Sequence, residues 1–307
     1  MDAPWKLRRS LLYVPGNMPG MLQNIPVFDA DGVMIDLEDA VPLNEKDAAR
    51  ILARSFLKMY VDRRQEVFVR INGLDTKYGL DDLHEVLPAL PDGIRLPKAD
   101  RPEVVERLDT ILTESEERLR LPIGHFKIIP SIESAIGILN CVRTAESSKR
   151  IVALAFGAED YTASMEIHRT KTGEELFNAR TRIVWAAKAA GIQAIDSIFS
   201  DVNDMDGLRA ETELIKRLGF TGKSLVNPRQ IEVIHEVFRP KPEEIEDALE
   251  VIEAIKRARE MGTGVISVRG KMVDAPVVKR AARILRTAIA FGMIEYELTD
   301  EVILGQE

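Results

Sequence analysis

Carboxylates gather just past apolar runs in three stretches of this chain: VMIDLEDAV (33–41), IIPSIES (128–134) and LAFGAED (154–160). Burying an ionised carboxylate without a partner costs several kcal/mol, so such a gathering calls for a cation. Glu133 and Asp160, with Gly157 letting the backbone turn before the second, suit a hard divalent ion. Mg²⁺ fits best, because it takes only one or two protein carboxylates and completes its shell with water and substrate oxygen. A second cation is Arg70 in VFVRINGLD, a planar fork able to grip a substrate carboxylate or a developing enolate oxygen. Glu38 and Asp39 can then be held by Arg70, by Lys98 or by water on the metal. Asp36 is expected to point away from Leu37 and is assigned no catalytic part.

Each of these residues also has a plain structural reading. Asp39 before AVPLNEK can be a helix cap. Lys98 after Pro97 can be a surface charge, and Arg70 a structural ion pair. The case for a site is joint: the acids and the arginine all follow strand-like runs.

Those runs are SLLYV (10–14), GVMIDL (32–37), EVFVRI (66–71), GIRL (93–96), FKIIP (126–130), IVALAF (151–156), QAIDSI (193–198) and KSLV (223–226). They alternate with longer amphipathic stretches, which predicts an α/β fold, a TIM (β/α)₈ barrel with its site on the C-terminal rim. That rim would collect Pro15, Gly16 and Asn17, then Glu38 and Asp39, Arg70 and Asn72, Lys98, Glu133, Glu159 and Asp160, and Asn227. Asn44 is the expected cap of a helix burying Ala48, Ile51, Leu52, Phe56 and Met59. Leu176, Ala179, Ile183, Ala186, Ala187 and Ala190 mark another helix face, stopped by Gly191. After Phe238, RPKPEE breaks the pattern and a charged helix follows. The expected organisation is a barrel domain over 1–239 and a C-terminal helical segment over 240–307.

With 307 residues, 45% of them apolar, the chain can bury a large core. A net charge of −8 argues against nucleic acid as a partner. No window is apolar enough to span a membrane and MDAPWKLRRS has no signal-peptide core, so a cytoplasmic location is expected. The single Cys141 lies in an apolar run and reads as a buried thiol, and the four histidines have no zinc-binding spacing.

The segments RRSLLYVPGNMPGML, VMIDLEDAVPLNEKDAAR, VFVRING, LPKAD, IIPSIESAIGIL, LAFGAEDY and LGFTGKSLVNPRQIEVIHEVF follow one another along the chain. In that order they resemble the citrate lyase β-subunit family, part of the wider group of HpcH/HpaI-type aldolases and malyl-CoA or citramalyl-CoA lyases. The resemblance implies a Mg²⁺-dependent barrel that cleaves citryl thioester to acetyl thioester and oxaloacetate. It makes Glu133 and Asp160 the metal ligands, Arg70 the substrate-binding arginine, and Glu38 and Asp39 the acidic pair beside them. Asn72 and Lys98 would add substrate contacts. Tyr13, Pro15, Gly16 and Asn17 would lie near the thioester carrier. In GKMVDAPVV, Asp274 would be the general acid/base, often serving a neighbouring subunit, with a pKa raised by Met272, Val273, Ala275 and Pro276. The alternative for Asp274 is a cap on the helix that begins near Pro276. Implied partners are an acyl carrier protein (the γ subunit) or CoA, the α subunit, and copies of the chain in a trimer or hexamer. A stand-alone malyl-CoA or citramalyl-CoA lyase keeps the same rim, and a non-catalytic carrier-binding subunit is a further alternative.

Overall fold

The computed structural model describes residues 6–61, 63–260, 266–269 and 271–298. Eight parallel strands close into a barrel: β1 (Ser10–Pro15), β2 (Gly32–Asp36), β3 (Glu66–Arg70), β4 (Gly93–Leu96), β5 (Lys127–Ile132), β6 (Ala153–Phe156), β7 (Gln193–Asp196) and β8 (Gly222–Leu225). β1 meets β8 through Ser10 and Lys223, which seals the ring. Every expected strand is present, with ends shifted by no more than two residues.

Side chains alternate across a strand, so each strand places every second residue inside the barrel. Leu11, Met34, Phe68, Ile129, Ala153, Ala155 and Ile195 pack there as an apolar core. Two residues further along their strands, the same inward positions hold Tyr13, Asp36, Arg70 and Ser131. A polar layer therefore rests on an apolar one, at the end of the barrel where the strands finish.

Helices α1 (Pro19–Asn24), α2 (Lys46–Met59), α3 (Gly79–Val86), α4 (Pro102–Leu119), α5 (Ala135–Glu146), α6 (Ala158–Ser164), α7 (Phe177–Ala189), α8 (Met205–Leu218) and α9 (Gln230–Phe238) accompany the strands. The expected face of α7 is buried from Leu176 through Ala187, and Gly191 follows it at φ 70°. For α2 the sequence reading is corrected. A 3₁₀ turn over Leu43–Glu45 precedes the helix, so Asn44 is not its cap, and the buried face is Lys46, Ala49, Arg50, Ala53, Phe56 and Leu57. Arg50 can be buried because Asp82 accepts its Nε at 3.0 Å, and Lys46 because its Nζ donates to two carbonyls.

Two compact units result, one of Arg8–Val237 and one from Phe238 onward with Lys6 and Leu7. In the second, α10 (Pro242–Glu260) and α11 (Ala275–Ala290) share a core of Ile245, Ala248, Ile252, Val278, Ala282 and Leu285. A small antiparallel hairpin, β9 (Ile266–Val268) with β10 (Lys271–Val273), joins them and is not foreseen by a purely helical reading. Among the described residues, no helix is long and apolar enough to cross a membrane.

Candidate active site

Asp36, Arg70 and Arg95 lie in register across β2, β3 and β4, and all three line a cavity of about 380 Å³ at the C-terminal end of the barrel. Arg70 grips Asp36 with both edges of its fork, Nε to Oδ1 at 2.7 Å and Nη2 to Oδ2 at 2.6 Å. Its Nη1 reaches Glu38 at 2.9 Å and Asp39 at 3.2 Å. The gathering of acids in VMIDLEDAV thus has its cation, as expected. The principal partner, however, is Asp36, which the sequence reading set aside. Asp36 does point away from Leu37, and away from Leu37 is into the cavity.

The acidic loop is tied down from behind. Lys46 Nζ donates to the Leu37 and Glu38 carbonyls at 2.8 and 2.6 Å, and Asp36 accepts the backbone N–H groups of Glu38 and Ala40. Burial pushes the Asp36 carboxyl up, but the Arg70 bonds and charge outweigh it and hold the group below its ordinary value. On Glu38 the balance reverses: burial, helped by the negative charges of Asp39 and Glu133, prevails over Arg70 and lifts it to about 8.

Glu133 and Asp160 also line this cavity. The Lys98 N–H donates to Glu133 Oε1 at 2.5 Å. Lys98 adopts φ 50° and is exposed; its backbone N–H holds Glu133, and its ammonium charge acts on Asp160. Burial raises the pKa of Glu133, and the neighbouring Asp160 raises it further. Burial and Asp39 raise Asp160 in turn. Among the described residues neither forms an ion pair. Glu133 is buried and Asp160 exposed, and the charges of Arg70 and Arg95 on Glu133, and of Lys98 and Arg70 on Asp160, act on them without direct contact. No cluster of three or more metal-binding side chains occurs among the described residues. A two-carboxylate set fits Mg²⁺, whose remaining positions go to water and ligand oxygen, better than zinc.

Tyr13 and Pro15 line the cavity as well. The Tyr13 ring lies 4.9 Å from the Arg70 guanidinium and 5.8 Å from that of Arg95. Gly16 is packed against Leu37, and its N–H donates to the Asp36 carbonyl at 2.8 Å. The Asn17 amide donates to Glu45.

Asn72 is not brought into the cavity lining. Its Nδ2 donates to Asp82 at 2.6 Å and to the Leu37 carbonyl at 2.9 Å, which makes it a brace between α3 and the acidic loop. Asp274 belongs to the second compact unit, where it caps α11 by accepting the Val277 N–H at 3.2 Å. The apolar setting expected for it is not formed within that unit: Asp274 is exposed, and Met272 beside it is 73% exposed.

Sequence reasoning missed Asp36 as a site residue and did not consider Arg95. The available signal was the charge itself: GIRL is a short strand, and an arginine at its third position shares the inward parity of the barrel core.

Residues 9–228 match the model of the HpcH/HpaI aldolase/citrate lyase family. A citrate lyase subunit beta from Leuconostoc mesenteroides subsp. cremoris is 45% identical over 292 residues, 95% of this chain and 97% of that one. A mitochondrial citramalyl-CoA lyase from Mus musculus is 35% identical, covering 92% of this chain and 86% of that one. Among solved structures, CitE from Mycobacterium tuberculosis in complex with magnesium, acetoacetate and coenzyme A superposes with a TM-score of 0.74 at 27% identity, over 92% of this chain and 98% of that one.

Proposed function

From the premise that this chain belongs to the HpcH/HpaI aldolase/citrate lyase family, we infer that it is a carbon–carbon lyase of the citrate lyase β-subunit type. It cleaves a citryl thioester into acetyl thioester and oxaloacetate with Mg²⁺ as cofactor. The observation that carries the reading is the pair Glu133, buried, and Asp160, more exposed, two carboxylates lining one cavity with no protein cation bonded to either among the described residues. Related structures that hold magnesium with acetoacetate or oxaloacetate support the same assignment.

Glu133 and Asp160 would hold the ion, with Glu133 fixed in place by the Lys98 N–H. Bound there, Mg²⁺ supplies Lewis acidity toward the citryl hydroxyl and its neighbouring carboxylate. Carbon–carbon cleavage requires the hydroxyl proton to leave, and Glu38, lifted to about 8, is its proposed acceptor in its ionised form, which is a stronger base than an ordinary carboxylate and is more populated as pH rises toward that value. Arg70 is proposed to steady negative oxygen charge. An incoming oxyanion would displace Asp39, its most exposed partner and the most distant of the three. Preorganised donors of this kind contribute about 3 to 4 kcal/mol each. Asp274 is the proposed donor of the proton that completes the acetyl product, on the strength of the motif GKMVDAPVV.

Tyr13, Pro15, Gly16 and Asn17 are proposed to lie beside the thioester carrier, which is an acyl carrier protein or CoA. Asn72 acts through the acidic loop it braces. Further proposals are α and γ subunit partners, a homo-oligomer, a cytoplasmic location, and a catalytic barrel over 1–239 followed by an appended segment over 240–307.

The test is release of 2-oxo acid from citryl-CoA, citramalyl-CoA and malyl-CoA, each with and without Mg²⁺. Magnesium-dependent oxaloacetate from citryl-CoA, with little product from the others, is the expected result. Preferred release of pyruvate or glyoxylate would overturn the substrate, and no cleavage at all would overturn the lyase.

A further inference from the structure

Arg95 is 2% exposed, lies beside Arg70 in the barrel wall and lines the same cavity. The two arginines differ in how their charge is met. Arg70 is surrounded by Asp36, Glu38 and Asp39. Arg95 donates its Nε to a neutral acceptor, Ser131 Oγ, at 2.8 Å, and its Nη1 is buried with no hydrogen-bond partner. Among the described residues Arg95 forms no ion pair. The Tyr13 ring that lies near both guanidinium groups cushions their charge without neutralising it. Glu133 lies near enough to feel the Arg95 charge but is not bonded to it. A guanidinium held in the barrel interior with no anion in direct contact is unfavourable, and the cost is recovered when a ligand brings that contact.

The inference rests on the lyase reading above and deepens it. A citryl group carries two carboxylates besides its thioester. One sits next to the hydroxyl and would be taken, with that hydroxyl, by an ion held on Glu133 and Asp160. The other ends a CH₂–COO⁻ arm, and nothing in the proposed mechanism yet receives it. A citramalyl group has a methyl in place of that arm, and a malyl group a hydrogen.

We propose that Arg95 is the specificity-determining residue of this cavity and pairs with the carboxylate that ends the CH₂–COO⁻ arm of the acyl group. Ser131 orients the fork through Nε, which leaves the terminal edge of the guanidinium to meet the anion. The cavity therefore selects acyl groups that release a dicarboxylic 2-oxo acid over those that release a monocarboxylic one.

The experiment compares the full-length wild type with Arg95→Met and Arg95→Lys at saturating Mg²⁺. Turnover of citryl-CoA and citramalyl-CoA is measured alongside calorimetric binding of oxaloacetate and pyruvate. Arg95→Met is expected to lose roughly 100-fold in kcat/KM for citryl-CoA, while citramalyl-CoA turnover stays within about threefold. Arg95→Lys should recover part of the loss. Equal losses on both substrates, or no loss on either, would overturn the proposal. So would a wild type that binds oxaloacetate no better than pyruvate, a measurement independent of whether any variant folds. If the wild type cleaves no thioester, the lyase reading fails by itself, and an oxaloacetate preference lost in Arg95→Met still supports Arg95. If citryl-CoA is cleaved and the variant's substrate ratio is unchanged, Arg95 fails and the lyase reading stands.

Discussion

A Cβ atom at position 157 would stand 2.6 Å from Glu133 Oε2 and 2.7 Å from the Glu133 Cβ. Gly157 has an ordinary negative φ of −108°, so what the position requires is room and not backbone freedom. Gly157→Ala should therefore fold, with the Glu133 side chain pushed out of place relative to Asp160. The magnesium concentration for half-maximal activity is expected to rise about tenfold or more, as it does when the support of a metal ligand is disturbed. Melting in chelator should change little. A magnesium titration followed both by turnover and by the metal-dependent rise in melting temperature checks this, and an unshifted midpoint would remove Glu133 from the metal site.

Asp36 and Glu38, on one short loop, titrate in opposite directions, and this shapes stability against pH. Glu38 is lifted to about 8 by burial, so the fold keeps a proton there that the unfolded chain loses near its ordinary value of 4.5. Between those values the folded state binds more protons, and stability falls as pH rises, by at most about 1.4 kcal/mol per pH unit. Asp36 is held below its ordinary value of 3.8; its contribution is present above that value and is lost as pH falls through the folded one. In chelator, Glu38→Gln should flatten the decline between about pH 5 and pH 8 and leave the acid limb in place. Glu133 and Asp160 slope the same way as Glu38 but are common to both proteins, so the difference isolates Glu38. Urea unfolding across the range measures it, and identical slopes would refute the assignment.

The barrel was legible because each strand combines an apolar inward row with a clear polar stop. Glu133, Asp160 and Arg70 were legible for a related reason: they stand where a strand ends. Asp36 and Arg95 were harder to read because they sit within strands, and only the inward parity shared with Met34 and Gly93 reveals where they face. Asn72 and Lys98 follow strands as well, yet the contacts they make could not be read from the sequence. Asn72 is claimed by Asp82, which no motif marks, and Lys98 offers its N–H while its side chain turns to solvent. The face of α2 was misjudged because Lys46 and Arg50, polar by type, are buried against the Leu37 and Glu38 carbonyls and Asp82. Hydrophobic periodicity carries no information about such long-range partners.

Away from the cavity, one network is expected to govern stability and leave catalysis alone. Arg180 of α7 and Lys223 of β8 both bind Asp196 of β7, at 3.0 and 2.7 Å, and all three side chains are fully buried. Glu211 of α8 joins them, 2.9 Å from Arg180 and 2.6 Å from Lys223. Asp196 has the parity opposite to inward-facing Ile195, so the network fills the space between the barrel wall and the helices. Removing one member leaves charge buried without its partner, which costs about 3 to 5 kcal/mol. Arg180→Met is expected to lose stability of that order in denaturant unfolding, while kcat at a temperature where the variant is folded stays near that of the wild type. Loss of turnover in folded Arg180→Met would mean that the network reaches the cavity through Ser197 and Ser224, the inward neighbours of Asp196 and Lys223 that line it.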